Sequence, residues 1–135
     1  MSICEKHNCS QCRHEREVIL THQDLTRLRT MGHYEETFAR KSRHGHNLKE
    51  LIFENGDCVF LKNGRCSVYY NRPLACKIFP YTFDGEKGLI DINCPHAGEF
   101  RSDPSFLPRA EMGMESILDD IDRTLRNYLS SLDGS

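Results

Sequence analysis

The chain has no tryptophan, only 38% of its 135 residues are hydrophobic, and its mean hydropathy is −0.61. A core built from that composition is thin for one domain, so something besides apolar burial is expected to stabilise it. No apolar run approaches the ~18 residues of a membrane span, and the opening MSICEKHNC has neither a signal core nor a cleavage site. A soluble, cytoplasmic chain without membrane contact is the expectation. Charge of one sign is also missing. With 18 basic against 20 acidic residues the net charge is −2, too little to gather nucleic acid, and this counts against a nucleic-acid module. Neither a G-x-G-x-x-G loop nor an arguable Ser/His/Asp arrangement is present, so an enzyme is the less favoured reading.

What the chain does have is seven cysteines. In a reducing compartment structural disulfides are rare, and an odd count leaves one thiol over, so metal ligation is the leading explanation. Three of them, Cys4, Cys9 and Cys12, stand with His7 and His14 in a polar segment without periodicity. Cys9 and Cys12 have the spacing at which one tight turn brings two thiolates to the same ion. The same spacing serves a redox dithiol, but the βαβ context of such an oxidoreductase is lacking.

Downstream, residues 17–20 (EVIL) read as a short strand. Thr21 with Asp24 three positions on predicts a capping-box helix start, with Leu25, Leu28 and Met31 as its apolar face and Gly32 just past its end. Residues 34–40 suggest a second short helix carrying Tyr34 and Phe38 on one side, and residues 40–46 (RKSRHGH) a solvated basic loop. The period then changes. Asn55-Gly56 and Asn63-Gly64, each flanked by apolar runs, predict two type I′ hairpins forming a compact antiparallel meander. A two-residue turn at Asn63-Gly64 sets Leu61 opposite Cys66 and Val59 opposite Val68, which sends Cys58 and Cys66 to opposite sheet faces unless a bulge shifts the register.

Arg72-Pro73 predicts a turn that opens a helical turn at Leu74 and carries Cys76. Ile78, Phe79, Tyr81 and Phe83 form an apolar patch beside it. A final hairpin through Asp84-Gly85, Leu89, Ile90 and Ile92 returns the chain to Cys94. Residues 101–108, with Pro104 and Pro108, read as a linker. Residues 109–132 read as an amphipathic helix with Ile117, Leu118, Ile121, Leu125, Tyr128, Leu129 and Leu132 on one stripe. The fold class expected is α+β: a small metal-stabilised domain (1–100) of antiparallel hairpins and short helices, with a linker and C-terminal helix (101–135) packing on it.

The runs Cys58-Val59-Phe60-Leu61, Cys66-Ser67-Val68-Tyr69 and Arg72-Pro73-Leu74-Ala75-Cys76, then Phe79-Pro80 and the trailing Cys94, closely resemble the YkgJ-type cysteine-cluster family, a zinc- or iron-chelating domain with a CxxCxxCC signature. The resemblance spans about residues 4–96. It departs from the family in two places: four residues separate Cys4 from Cys9, and the family's doubled cysteine is here Cys12-Arg13, so one family thiol is missing. His14, His7 or His96 are candidates to replace it. The family is similar to the metal domain of flagellin lysine N-methylases, which implies a [4Fe-4S] cluster, while the family description leaves zinc equally open; both accept four thiolates.

The preferred ligand set is Cys9, Cys12, Cys76 and Cys94, with Cys4, Cys58 and Cys66 as a second, incomplete set or as structural thiols. Thiolates need nearby donors and cations; Arg13, Arg72 and Lys77 adjoin candidate ligands, and Arg72 is the favoured cofactor-binding side chain. The expected function is a metal-binding protein, zinc or iron–sulfur, of accessory, redox or structural role. It would be a monomer or homodimer, with a protein partner met through the C-terminal helix. The alternative is a component of a methyltransferase-like enzyme.

Overall fold

In the computed structural model, which describes residues 17–83, 87–91 and 94–133, the first element is strand β1 (Ile19–Leu20). Helix α1 (His22–Thr30) starts at the expected capping box: Thr21 Oγ1 accepts the Asp24 N–H at 3.1 Å, and the Asp24 carboxylate accepts the Thr21 N–H at 3.0 Å. It closes with Gly32 at φ 99°, which lets the His33 N–H reach the Leu28 carbonyl at 3.2 Å. Leu25 and Leu28 are buried, but Met31 is 44% exposed because it stands at the cap, past the last full turn.

The second helix is shorter than expected. α2 (Glu35–Phe38) gives way at Ala39, whose backbone is extended (φ −125°, ψ 142°), and β2 (Ala39–Lys41) takes over. Pairing with β3 (Lys49–Leu51) outweighs local helix preference there, with Arg40 opposite Glu50. Phe38 is fully buried while Tyr34 is 73% exposed, so the two do not share a face. β3 lies at the centre of a three-stranded antiparallel sheet ordered β1-β3-β2. The basic loop is correspondingly more than solvent-borne charge. Glu50, 1% exposed, accepts from Arg40 Nη2 at 2.9 Å and Arg43 Nη2 at 3.2 Å, and from the Arg43 N–H at 3.2 Å.

Both Asn-Gly hairpins form. β4 (Phe53–Glu54) pairs with β5 (Asp57–Cys58), and β6 (Leu61–Lys62) with β7 (Arg65–Cys66). Asn55, Gly56, Asn63 and Gly64 all have positive φ, the type I′ signature, and Leu61 faces Cys66 as the spacing predicts. The hairpins remain two separate two-stranded ribbons, not one meander. Val59 and Phe60 form a turn between them, so strand parity is not carried from Cys58 to Cys66 and the opposite-face expectation loses its premise.

A 3-10 turn (Tyr69–Asn71) leads through Pro73 into α3 (Leu74–Lys77), which bears Cys76. β8 (Tyr81–Phe83) and β9 (Gly88–Ile90) make the last hairpin; its Asp84-Gly85 turn and Ile92 lie outside the described residues. After Cys94 comes α4 (Ala97–Ser102), then α5 (Phe106–Asp133). α5 begins earlier than expected. Pro108 sits in its first turn, where the missing N–H is one the helix leaves unpaired anyway, and the linker shrinks to Asp103, Pro104 and Ser105.

Burial is divided between two apolar clusters. One gathers Leu28, Phe38, Leu51 and Phe60 around α1 and the sheet; the other gathers Ile78, Phe79, Phe100, Phe106 and Ile117 beneath α5. Ala75 packs against both. Along α5 the stripe is buried at Ile117, half-buried at Leu118, Ile121, Leu125 and Tyr128, and exposed at Leu129 and Leu132. Asp120 accepts from the His22 N–H, and Tyr128 meets the His46 ring at 4.9 Å, so α5 also touches α1 and the basic loop. Among the described residues no helix is long and apolar enough to cross a membrane.

Candidate metal centre

Four cysteines fall within the described residues. Cys58 closes β5 and is 8% exposed; Cys76 lies in α3 at 9%; Cys94, 4% exposed, stands at the turn before α4. Cys66 closes β7 and is half-buried. No disulfide joins two of these four. Cys58 and Cys76 belong to the first apolar cluster, with Cys66 packed against it, and Cys94 belongs to the second, with Ala75, next to Cys76, at the seam.

Backbone geometry supplies support for charge on sulfur. The turn after β5 folds so that the Phe60 N–H donates to Cys58 Sγ at 3.4 Å, the kind of amide-to-sulfur bond that steadies a thiolate. Basic side chains also lie along the segment that bears Cys76. Arg27 and Arg72 stand before α3 and Lys77 ends it, and the Lys77 ammonium is held below its ordinary range first by burial and then by Arg27, with Arg72 adding to it and Asp24 opposing.

The N-terminal approach to Cys76 is itself held by α1. Asp24, 1% exposed, accepts the Leu74 N–H at 3.0 Å and an Arg27 Nη2 hydrogen bond at 2.7 Å. The same Nη2 donates to the Arg72 carbonyl at 2.8 Å, and Arg27 Nε to the Asn71 carbonyl at 3.4 Å. The Pro73 carbonyl then accepts the Cys76 N–H at 2.9 Å. Arg72 turns its own guanidinium to Tyr69, lying 4.1 Å over the ring and donating through Nε to the Tyr69 carbonyl at 2.8 Å. His96 is half-buried two residues after Cys94.

Among the described residues, no three Cys, His, Asp or Glu side chains gather into a group that holds an ion. Cys4, Cys9, Cys12, His7, His14 and Arg13 lie outside the described residues. In the sequence Asp24 signals only a helix cap, and Arg27 carries no mark of its own. Their i,i+3 spacing was a usable signal for a pair, although not for its reach to Arg72 and Leu74. The Phe60 amide had no signal, since every residue but proline carries one.

In comparison with protein families, the family described as "CxxCxxCC: Putative zinc- or iron-chelating domain" matches residues 3–95. That span runs from one residue before Cys4 to one residue after Cys94 and takes in all seven cysteines. No curated protein and no solved structure gives a significant match.

Proposed function

The chain belongs to the CxxCxxCC family of zinc- or iron-chelating domains, and from that premise we propose that it is a cytoplasmic accessory protein whose metal centre stabilises the fold or exchanges electrons with a partner. The observation that carries this reading is the inclusion of all seven cysteines in the family match. Burial of Cys58, Cys76 and Cys94 supports it, as does the Phe60 amide on Cys58. Cys9 and Cys12 with Cys76 and Cys94 remain the preferred ligands. Because the described donors do not form a group of three, the N-terminal cysteines complete the centre in this proposal. Cys4, Cys58 and Cys66 then form a second set, with Cys58 its best-supported member. Zinc bound there would fix the chain covalently at several points, and an iron–sulfur cluster would add one-electron chemistry.

A protein partner fits the distal end of α5, where Leu129 and Leu132 stay 58% and 57% exposed. The reading is tested by metal analysis and visible spectroscopy of protein purified without oxygen. Iron with sulfide and a brown colour identify a cluster, and stoichiometric zinc without colour identifies a structural site. Binding of S-adenosylmethionine by the full chain would instead favour a component of a methyl-transfer enzyme.

A further inference from the structure

We infer that the Asp24–Arg27 pair of α1 is a positioning element for Cys76, setting the approach of that thiol to the metal centre; the inference rests on the metal-binding reading above. Asp24 and Arg27 grip the segment just before Cys76 on both sides of the fully buried Pro73. Arg27 Nη2 holds the Arg72 carbonyl at 2.8 Å and Asp24 holds the Leu74 N–H at 3.0 Å, while a 2.7 Å bond locks the two side chains together. From there the path to the thiol is short. The Pro73 carbonyl accepts the N–H groups of Cys76 and Lys77 at 2.9 and 3.0 Å, which fixes the first turn of α3.

Stability alone is a poor reason for this arrangement. Asp24 gives up its hydration at 1% exposure while Arg27 stays 30% exposed, and the attraction of such a pair is largely spent on desolvating the buried carboxylate, so its net contribution to stability is small. What the pair does supply is direction. A planar guanidinium reaches a carboxylate and two successive carbonyls, those of Asn71 and Arg72, in one fixed geometry, which a lysine ammonium does not reproduce. Groups that orient a ligand from behind typically alter metal affinity by about 10- to 100-fold when lost.

Arg27→Lys in the full chain keeps the charge and removes the fork. Two measurements read the result: zinc affinity by chelator competition, and, with zinc held saturating so that overall metal loss does not unmask both thiols, the rates at which iodoacetamide alkylates Cys76 and Cys94, resolved by peptide mass spectrometry. The expected result is a zinc affinity about 10- to 100-fold weaker, with Cys76 alkylated faster and Cys94 at its wild-type rate. Glu50→Gln, which removes a different buried carboxylate from its arginine partners, should lower the melting temperature and leave the Cys76 rate alone. Should Arg27→Lys not fold, Asp24→Asn, which retains an acceptor for the Leu74 N–H, is read the same way. Wild-type affinity with a wild-type Cys76 rate overturns the inference, and so does equal acceleration of Cys76 and Cys94, which marks general loosening. If wild-type protein takes up no metal, the metal-binding reading falls, while the Cys76-to-Cys94 rate ratio still decides whether the pair positions the thiol.

Discussion

Gly113 of the long helix lies so close to Ile78 that a β-carbon at position 113 would stand 2.5 Å from Ile78 Cγ2 and 3.4 Å from a Leu74 methyl. Ile78 and Leu74 flank Cys76 at two residues' distance on either side, so this contact clamps α5 onto the element that bears the thiol. Glycine in a helix interior costs about 1 kcal/mol relative to alanine; here that cost is offset by the close approach. Gly113→Val is expected to destabilise the protein by about 1–3 kcal/mol through overpacking against a stiff β-branched neighbour. Urea denaturation measures it, and a variant as stable as wild type would show that α5 does not pack this closely.

A second glycine contact offers a spectroscopic test. A β-carbon at Gly88 would meet the Tyr81 hydroxyl oxygen at 1.7 Å and two atoms of its ring at 2.1 and 2.8 Å. Burial raises the Tyr81 hydroxyl above its ordinary range, and Glu111 adds to the effect. Gly88→Ala should drive the ring from its slot. In ultraviolet titration the late-titrating member of the five tyrosines should then move toward the ordinary value.

Glu50 makes stability depend on acid. Burial works to raise its carboxyl, but hydrogen bonds from the Arg43 side chain and N–H and from Arg40 outweigh it and hold the group below the ordinary value of 4.5. A depressed carboxyl contributes stability that is complete above the unfolded-state value and is lost as pH falls through the folded one. The urea midpoint should therefore fall as pH drops below about 4.5. In Glu50→Gln that acid dependence should be shallower, on a fold weakened by roughly 2 kcal/mol through loss of charged hydrogen bonds.

Local chemistry was legible in the sequence where one residue type dictates backbone geometry. Thr21 and Asp24 announced the start of α1, Gly32 its end, and Asn55-Gly56 and Asn63-Gly64 the two hairpins, because capping and positive φ are properties of those side chains. Ala39 and Arg40 were misread as helix because their strand conformation comes from β3, ten residues further on. α4 passed unnoticed: six residues are too few for periodicity to register, and its Ala97 and Phe100 are fixed by the second apolar cluster. The candidate site was legible as a set of thiols and a motif, since family membership resides in the cysteines themselves. Its supporting groups were not, because the reach of Arg27 to Arg72 and the Phe60 amide at Cys58 arise only when distant or bent segments meet.

Metal removal bears most directly on a fold this poor in apolar residues. A structural zinc contributes about 10 kcal/mol or more of apparent binding free energy, comparable with the whole stability of a typical domain, about 5–15 kcal/mol. Thermal unfolding of the full chain, followed by circular dichroism before and after stringent anaerobic chelation with metal content assayed in both samples, decides the matter. Loss of the cooperative transition together with loss of zinc or iron, and its return when the metal is restored, is the predicted result. A metal-free sample that melts as the untreated protein does would contradict it.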